Sequence, residues 1–216
     1  GKAQLFSFSL FYKSFLNPIE LVSSQVNENE AIYQNAISAK VLGAEVECRY
    51  LLGSVFGSNE NSILQKMTFT ANASVIQSEI TMGDFAGISA KDLISKRPLQ
   101  GQSPYVLNAG FTYSDDKRNL SLTATANRVG QRIFIVGTVN DADIYENART
   151  VLDIQAAKSY FKGNLELKLN IKDALAQQQL FYFDLNSDTK YKENDDKIFS
   201  TTNLGRVISL SVSYKF

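Results

Sequence analysis

Oxygen-bearing side chains recur at Asp184, Asn186, Asp188 and Asp195. Counted from Asp184, these occupy positions 1, 3, 5 and 12 of a calcium-binding loop. The sixth and twelfth positions depart from that pattern, and the seventh can serve it only through the main chain. The sixth position, where glycine makes the sharp turn, is Thr189; the seventh, Lys190, offers only its backbone carbonyl; and the twelfth is aspartate rather than the longer glutamate. Two readings stand side by side: a calcium site, or a solvated loop whose acids face water.

Three other groups have side chains that could do chemistry. Glu45, Glu47 and Arg49 alternate along one segment and so share one face of a strand, as a contact stripe or as a polar wall facing water. Carboxylates spaced this way stand ~7 Å apart with no groove between them, which does not make an acid–base pair. Asp141, Asp143 and Glu146 cluster in a connection and read as surface residues. Cys48 is the single cysteine; it reads as a small apolar residue in a strand.

What is missing narrows the function. The chain has no histidine, the usual base near neutral pH and the commonest metal ligand. Its many serines therefore have no imidazole to activate them, and neither a Gly-x-Ser-x-Gly elbow nor a phosphate loop occurs. The expectation is no enzyme, no catalytic residue and no cofactor. Lys plus Arg and Asp plus Glu both total 22, with no basic run, so nucleic acid is not expected as a partner.

The elements that carry these groups have a period of two. Ile208, Leu210, Val212 and Tyr214 alternate with Ser209, Ser211 and Ser213. Leu165, Leu167, Leu169 and Ile171 alternate with Glu166, Lys168 and Asn170, and Leu120, Leu122 and Ala124 with Ser121, Thr123 and Thr125. Phe6 and Phe8 face away from Ser7. Eight strands are predicted, at 3–15, 37–52, 64–81, 104–114, 119–136, 148–161, 164–176 and 205–216, with no convincing amphipathic helix. Gly110 and Gly130 fall inside these patterns and mark bulges or corners.

Short connections at 53–61, 114–118 and 161–164 alternate with long ones at 16–36, 82–103, 137–147 and 177–204. Tight turns at one end and long loops at the other suit an antiparallel up-and-down barrel in an outer membrane. No apolar run reaches the ~18 residues of a membrane helix, which says nothing against spanning strands. The strand patterns are long enough for the ~9–11 residues of a tilted membrane strand. Aromatics such as Tyr12, Tyr50, Tyr113, Tyr160, Tyr214 and Phe216 sit near the ends of apolar faces, as in an interfacial girdle.

Four segments carry a family resemblance. Arg97-Pro98-Leu99-Gln100-Gly101-Gln102-Ser103-Pro104-Tyr105-Val106-Leu107-Asn108-Ala109-Gly110-Phe111-Thr112-Tyr113 resembles a strand-entry motif of TonB-dependent outer-membrane receptors, of the type with a carboxypeptidase-regulatory-like N-terminal extension. Residues 39–47, 164–175 and 205–216 resemble an earlier strand, the penultimate strand and the last strand of the same barrel. The resemblance implies an all-β transmembrane barrel of about 22 strands, of which 1–216 supplies about eight as its C-terminal part. A plug domain and TonB box lie outside this chain in that scheme.

Its implied partners are outer-membrane lipid, the plug and remaining strands, the TonB energy-transducing complex and the barrel assembly machinery. The assembly machinery would read the terminal aromatics Tyr214 and Phe216. The stripe at Glu45, Glu47 and Arg49 would meet substrate or plug. The expected function is uptake of a nutrient across the outer membrane of a Gram-negative bacterium. The alternatives are a self-contained eight-stranded barrel with an adhesion or structural role and, disfavoured by the missing histidine, an outer-membrane enzyme.

Overall fold

The computed structural model describes residues 4–24, 30–57, 59, 62–83, 97–138 and 141–216. Residue 3 of the first predicted strand, and parts of the connections predicted at 16–36, 53–61, 82–103 and 137–147, lie outside the described residues.

Eight long strands form one antiparallel sheet in the order β1 (Leu5–Leu16), β4 (Ser38–Leu51), β5 (Met67–Thr81), β6 (Tyr105–Asp115), β7 (Leu120–Val129), β10 (Arg149–Tyr160), β11 (Leu165–Lys172) and β14 (Val207–Tyr214). All eight predicted strands are there. The period of two sets the register, because in an antiparallel pair directly opposite residues project from the same face. Phe6 opposes Cys48, which opposes Ala71, then Ala109, Ala126 and Leu152. Leu122 connects through Ala156 and Leu169 to Leu210, and Leu167 opposes Val212. One face is thus apolar from edge to edge. Ser7, Thr123, Lys168 and Ser211 belong to the other, as the alternation predicts.

One predicted strand is broken. The segment 119–136 divides at Gly130 and Gln131 into β7 and the short β8 (Arg132–Ile135). A side chain at Gly130 would collide with the Tyr105 ring and the Ser103 hydroxyl, so glycine permits the close approach that turns the chain out of the wall.

At one end of the sheet the connections are compact. Asp115, 2% exposed, accepts hydrogen bonds from Lys66 Nζ (2.7 Å), the Tyr113 hydroxyl (3.0 Å) and the backbone N–H groups of Lys117 (3.1 Å) and Arg118 (3.2 Å). This closes the β6–β7 turn. A single helical turn, α1 (Leu52–Val55), and a 3-10 turn at Ile63–Lys66 link β4 to β5.

At the other end the long connections are not bare loops. They contribute β2 (Ile19–Ser23) paired with β3 (Ala31–Asn35), and a second sheet in the order β13 (Lys197–Thr202), β12 (Gln179–Phe183), β9 (Ile144–Glu146) and β8. The sequence reading left all but β8 as loop. Ile19-Glu20-Leu21-Val22 and Gln179-Leu180-Phe181-Tyr182-Phe183 are short runs without clean alternation, so the period of two does not announce them.

Both buried apolar clusters belong to this layer. One joins Val22, Ile133, Val136, Tyr145 and Tyr182; the other joins Ala36, Ala39, Ile80 and Met82, with Leu99 against it. Ala39 and Ile80 oppose each other and fall on the polar-face parity of the wall, yet both are almost fully buried. The loop layer therefore leans over the polar face.

Candidate functional site

The polar face of the wall is built from small amides, hydroxyls, acids such as Glu45 and Glu47, and bases such as Arg49 and Lys168. Asn72, Asn108 and Asn127 stand directly opposite one another on β5, β6 and β7. Asn127 Nδ2 donates to Asn108 Oδ1 (2.7 Å), Asn108 Nδ2 donates to Asn72 Oδ1 (3.5 Å), and Asn72 Nδ2 donates to Glu45. A second ladder runs from Gln155 Nε2 to Asn170 Oδ1 (2.7 Å) and from Asn170 Nδ2 to Ser209 Oγ (3.4 Å). Each cross-strand link of this kind is worth about 0.2–1 kcal/mol.

Glu47, Asn72, Asn108, Thr125, Asn127 and Asp153 line a shallow groove of about 300 Å³. Gly110 forms part of its floor, since a Cβ there would meet Thr70 Oγ1 at 2.7 Å. The predicted stripe is therefore divided: Glu45 ends the amide ladder, and Glu47 lines the groove. With these carboxylates and neutral amides, and with Cys48 also in its lining, the groove can hold hydrogen-bond donors.

Within the loop layer, two connections are joined by a buried ion pair. Arg97 Nη1 meets Glu20 Oε1 at 3.0 Å and Nη2 meets Oε2 at 2.6 Å, with the side chains 5% and 1% exposed. The forked geometry satisfies both carboxylate oxygens, and Glu20 Oε1 also accepts from Gln100 N (3.0 Å). Losing one partner of such a pair costs about 3–5 kcal/mol, because the other charge is left buried. Gln100 does similar work without charge: its Oε1 accepts from Leu21 N (2.6 Å) and its Nε2 donates to Leu21 O (3.1 Å) and to Phe134 O. Sequence reasoning missed this hub. Arg97 and Gln100 fall in the strand-entry motif, but nothing in the spacing pairs them with Glu20, which is 77 residues from Arg97.

In the loop predicted to hold calcium, the acids accept hydrogen bonds from the backbone of their own turn. Asp184 accepts from Asp188 N (3.1 Å) and Thr189 N (3.0 Å), Asn186 from Asp188 N (3.1 Å), and Asp188 from Lys190 N (2.9 Å) and from Lys192 Nζ. Asp196, which the pattern did not select, accepts from Leu185 N and Lys192 N. Asp195 lies at the rim, 4.0 Å from Lys192 Nζ. The oxygens close the loop on itself, with Thr189 at a positive φ of 64° where the pattern wants glycine. Among the described residues no group of three or more His, Cys, Asp or Glu side chains could hold a metal ion.

Electrostatics in the layer follow burial. Burial pushes the Asp184 carboxyl above the ordinary carboxylate range, against the two N–H groups that lower it. Asp143 is also pushed up by burial, opposed by Gly137 N donating at 2.7 Å. It is half-buried rather than the surface residue expected. Lys192 holds Asp188 below the ordinary range. Burial raises the hydroxyls of Tyr145 and Tyr182, with Asp143 beside the first and Asp184 beside the second adding to it. Glu146 pairs with Arg132 (2.7 Å), and Asp141 stays exposed, accepting from the Thr138 hydroxyl at 3.2 Å.

Tyr214 and Phe216 pack edge to face, with ring centroids 5.1 Å apart, at the end of β14.

The whole chain is similar in fold to segments of solved β-barrel structures. The ferric citrate transporter FecA in its unliganded form matches over 100% of this chain and 29% of its own, at 14% identity and a TM-score of 0.64. The FrpB iron transporter from Neisseria meningitidis gives 14% identity, a TM-score of 0.57 and 28% of its own length. The copper transporter OprC gives 16%, 0.55 and 28%. The fold of this chain is that of a segment of the β-barrels of these proteins. The segment spans less than a third of each of these proteins. No family model matches the chain, and no curated protein does.

Proposed function

We propose that residues 1–216 form the C-terminal part of the barrel of a TonB-dependent outer-membrane receptor that imports a scarce nutrient into a Gram-negative bacterium. One observation carries this reading: the full length of the chain follows transport barrels, with its long connections gathered at one end. The apolar face would meet outer-membrane lipid. The polar face, with its amide ladders and its acids at Glu45, Glu47 and Asp153, would line the lumen and face an N-terminal plug. The edges of β1 and β14 would pair with the remaining strands; the sheet order sets these two strands at opposite ends rather than side by side. Tyr214 and Phe216 would be read by the barrel assembly machinery, and TonB would act on the plug. The transporters it resembles act on ferric citrate, iron and copper by their descriptions, which makes a chelated metal one class to test first.

The test is genetic. The reading frame that encodes this chain is deleted in its host, and growth is measured on limiting iron, copper and carbon sources, beside a strain lacking TonB. A matching growth defect in both strains on one nutrient supports the proposal. Normal growth of the deletion strain where the TonB strain fails on every nutrient, with the protein fractionating away from the outer membrane, overturns it.

A further inference from the structure

We infer that the described parts of the four long connections fold as one cooperative unit fixed to the wall, a permanent canopy over this part of the barrel mouth rather than four independently moving segments. The inference rests on the barrel reading for its setting and on the contacts for its content. Every connection is tied to another. Ser23 N donates to Val136 O (2.8 Å) and Val136 N to Leu21 O (3.0 Å), joining the first connection to the third. Gly101 N donates to Ile133 O (3.0 Å), joining the second to the third, and Asp184 N donates to Asp143 O (3.0 Å), joining the fourth to the third. The Glu20–Arg97 pair and Gln100 join the first to the second.

The same unit is anchored to the wall. Ile80 N donates to Arg97 O (3.3 Å), Leu99 N to Ser78 Oγ (3.0 Å) and Ile37 N to Thr81 O (2.9 Å). Its two apolar clusters take residues from all four connections and from the wall strands β4 and β5. A loop that opens alone exposes only its own surface. Here any one connection that leaves uncovers Val22, Ile133, Tyr145 and Tyr182, or strips a partner from Glu20 or Arg97, so the unit opens together or not at all. Arg97 is the positioning residue at its hub.

Hydrogen exchange of the intact parent protein in outer-membrane vesicles tests this. Backbone amides in 19–23, 97–102, 132–136, 144–146 and 179–183 are expected to exchange slowly and with one shared opening rate. In Arg97→Met all five segments are expected to speed up together, on the order of 100-fold or more. The double variant Glu20→Gln with Arg97→Met, which leaves no orphan charge, should move back toward the wild type. Gln100→Ala removes neutral links alone and should raise the same five segments together even if Arg97→Met fails to assemble. Fast exchange of these segments with slow exchange in β4–β7 overturns the canopy and leaves the barrel standing. A rise confined to 97–102 in either variant also overturns it. Fast exchange in β4–β7 as well speaks against the barrel reading itself.

Discussion

The ring of Phe11 lies directly over Gly43, its register partner on the polar face of β1 and β4. A Cβ at Gly43 would stand only 2.7 Å from Phe11 Cε1 and closer still to Cζ, and the absence of one is what lets the aromatic approach the wall. Lys13 Nζ sits 5.4 Å from the ring centroid. Gly43→Ala is expected to lower stability by about 1 kcal/mol, the low end of overpacking, since a Phe ring at an open face can swing aside. In a Phe11→Ala background the same change should be neutral or mildly stabilising, because alanine restricts the unfolded chain more than glycine. Urea unfolding of the four proteins in detergent, read as a double-mutant cycle, measures the coupling; equal costs in both backgrounds would show that the ring and the glycine do not depend on each other.

In the proposed barrel lipid-facing and lumen-facing residues alternate, so adjacent positions should respond oppositely to the same charge. Leu169 belongs to the apolar face between Ala156 and Leu210, and Asn170 to the polar face between Gln155 and Ser209. Leu169→Lys is expected to cost about 2–4 kcal/mol near the bilayer midplane and Asn170→Lys little. Folding into lipid vesicles, followed by heat-modifiable gel mobility, separates the two; equal losses would contradict the facing.

The wall was legible in the sequence because its information is local. Leu165 to Ile171 and Ile208 to Tyr214 each announce a face without reference to any other strand, and the register follows from turns as short as that closed by Asp115. The canopy was not legible because its information is long-range. Tyr182 is buried by Val22, Ile133 and Tyr145, which come from three other segments, and Glu20 gains its meaning only from Arg97. The 184–196 segment shows the converse. Its acids have ligand-like spacing, yet the same short side chains are also suited to accepting N–H bonds from their own turn, and that local use is the one seen at Asp184 and Asp188.

Asp143 gives the canopy a pH dependence with a definite sign. Its folded carboxyl is pushed above the unfolded value of about 3.9 by burial. Stability from this group is therefore fully present below the unfolded value and is lost as pH rises through the folded one, so at neutral pH the ionised form is a burden. Asp143→Asn keeps an oxygen for Gly137 N and removes the charge. The variant is expected to hold the canopy more stable than wild type at pH 7, with the difference shrinking as pH falls toward 4. Exchange rates at 132–146, measured across that range, check it; a variant less stable than wild type at pH 7 would mean that the carboxylate is favoured by its surroundings.

The edges make the strongest demand on the environment. Among the described residues β1 pairs only with β4 and β14 only with β11, so each outer strand presents a row of free backbone groups along 12 and 8 residues. An edge of that length is a template for another chain. The apolar face compounds this: Phe6, Phe8, Leu10 and Tyr12 on β1, and Leu210 and Val212 on β14, are each more than half exposed. In water these strands have two ways to satisfy themselves, pairing edge to edge and burying the apolar face against a second copy, and both consume monomer. In a bilayer the apolar face is satisfied and only the edges remain. The 216-residue chain is therefore expected to sediment as large, polydisperse species in plain buffer and as discrete small species in detergent. A single monodisperse species of 24.0 kDa without detergent would mean that the apolar face is covered within the chain itself, and would set a soluble sandwich in place of the membrane wall.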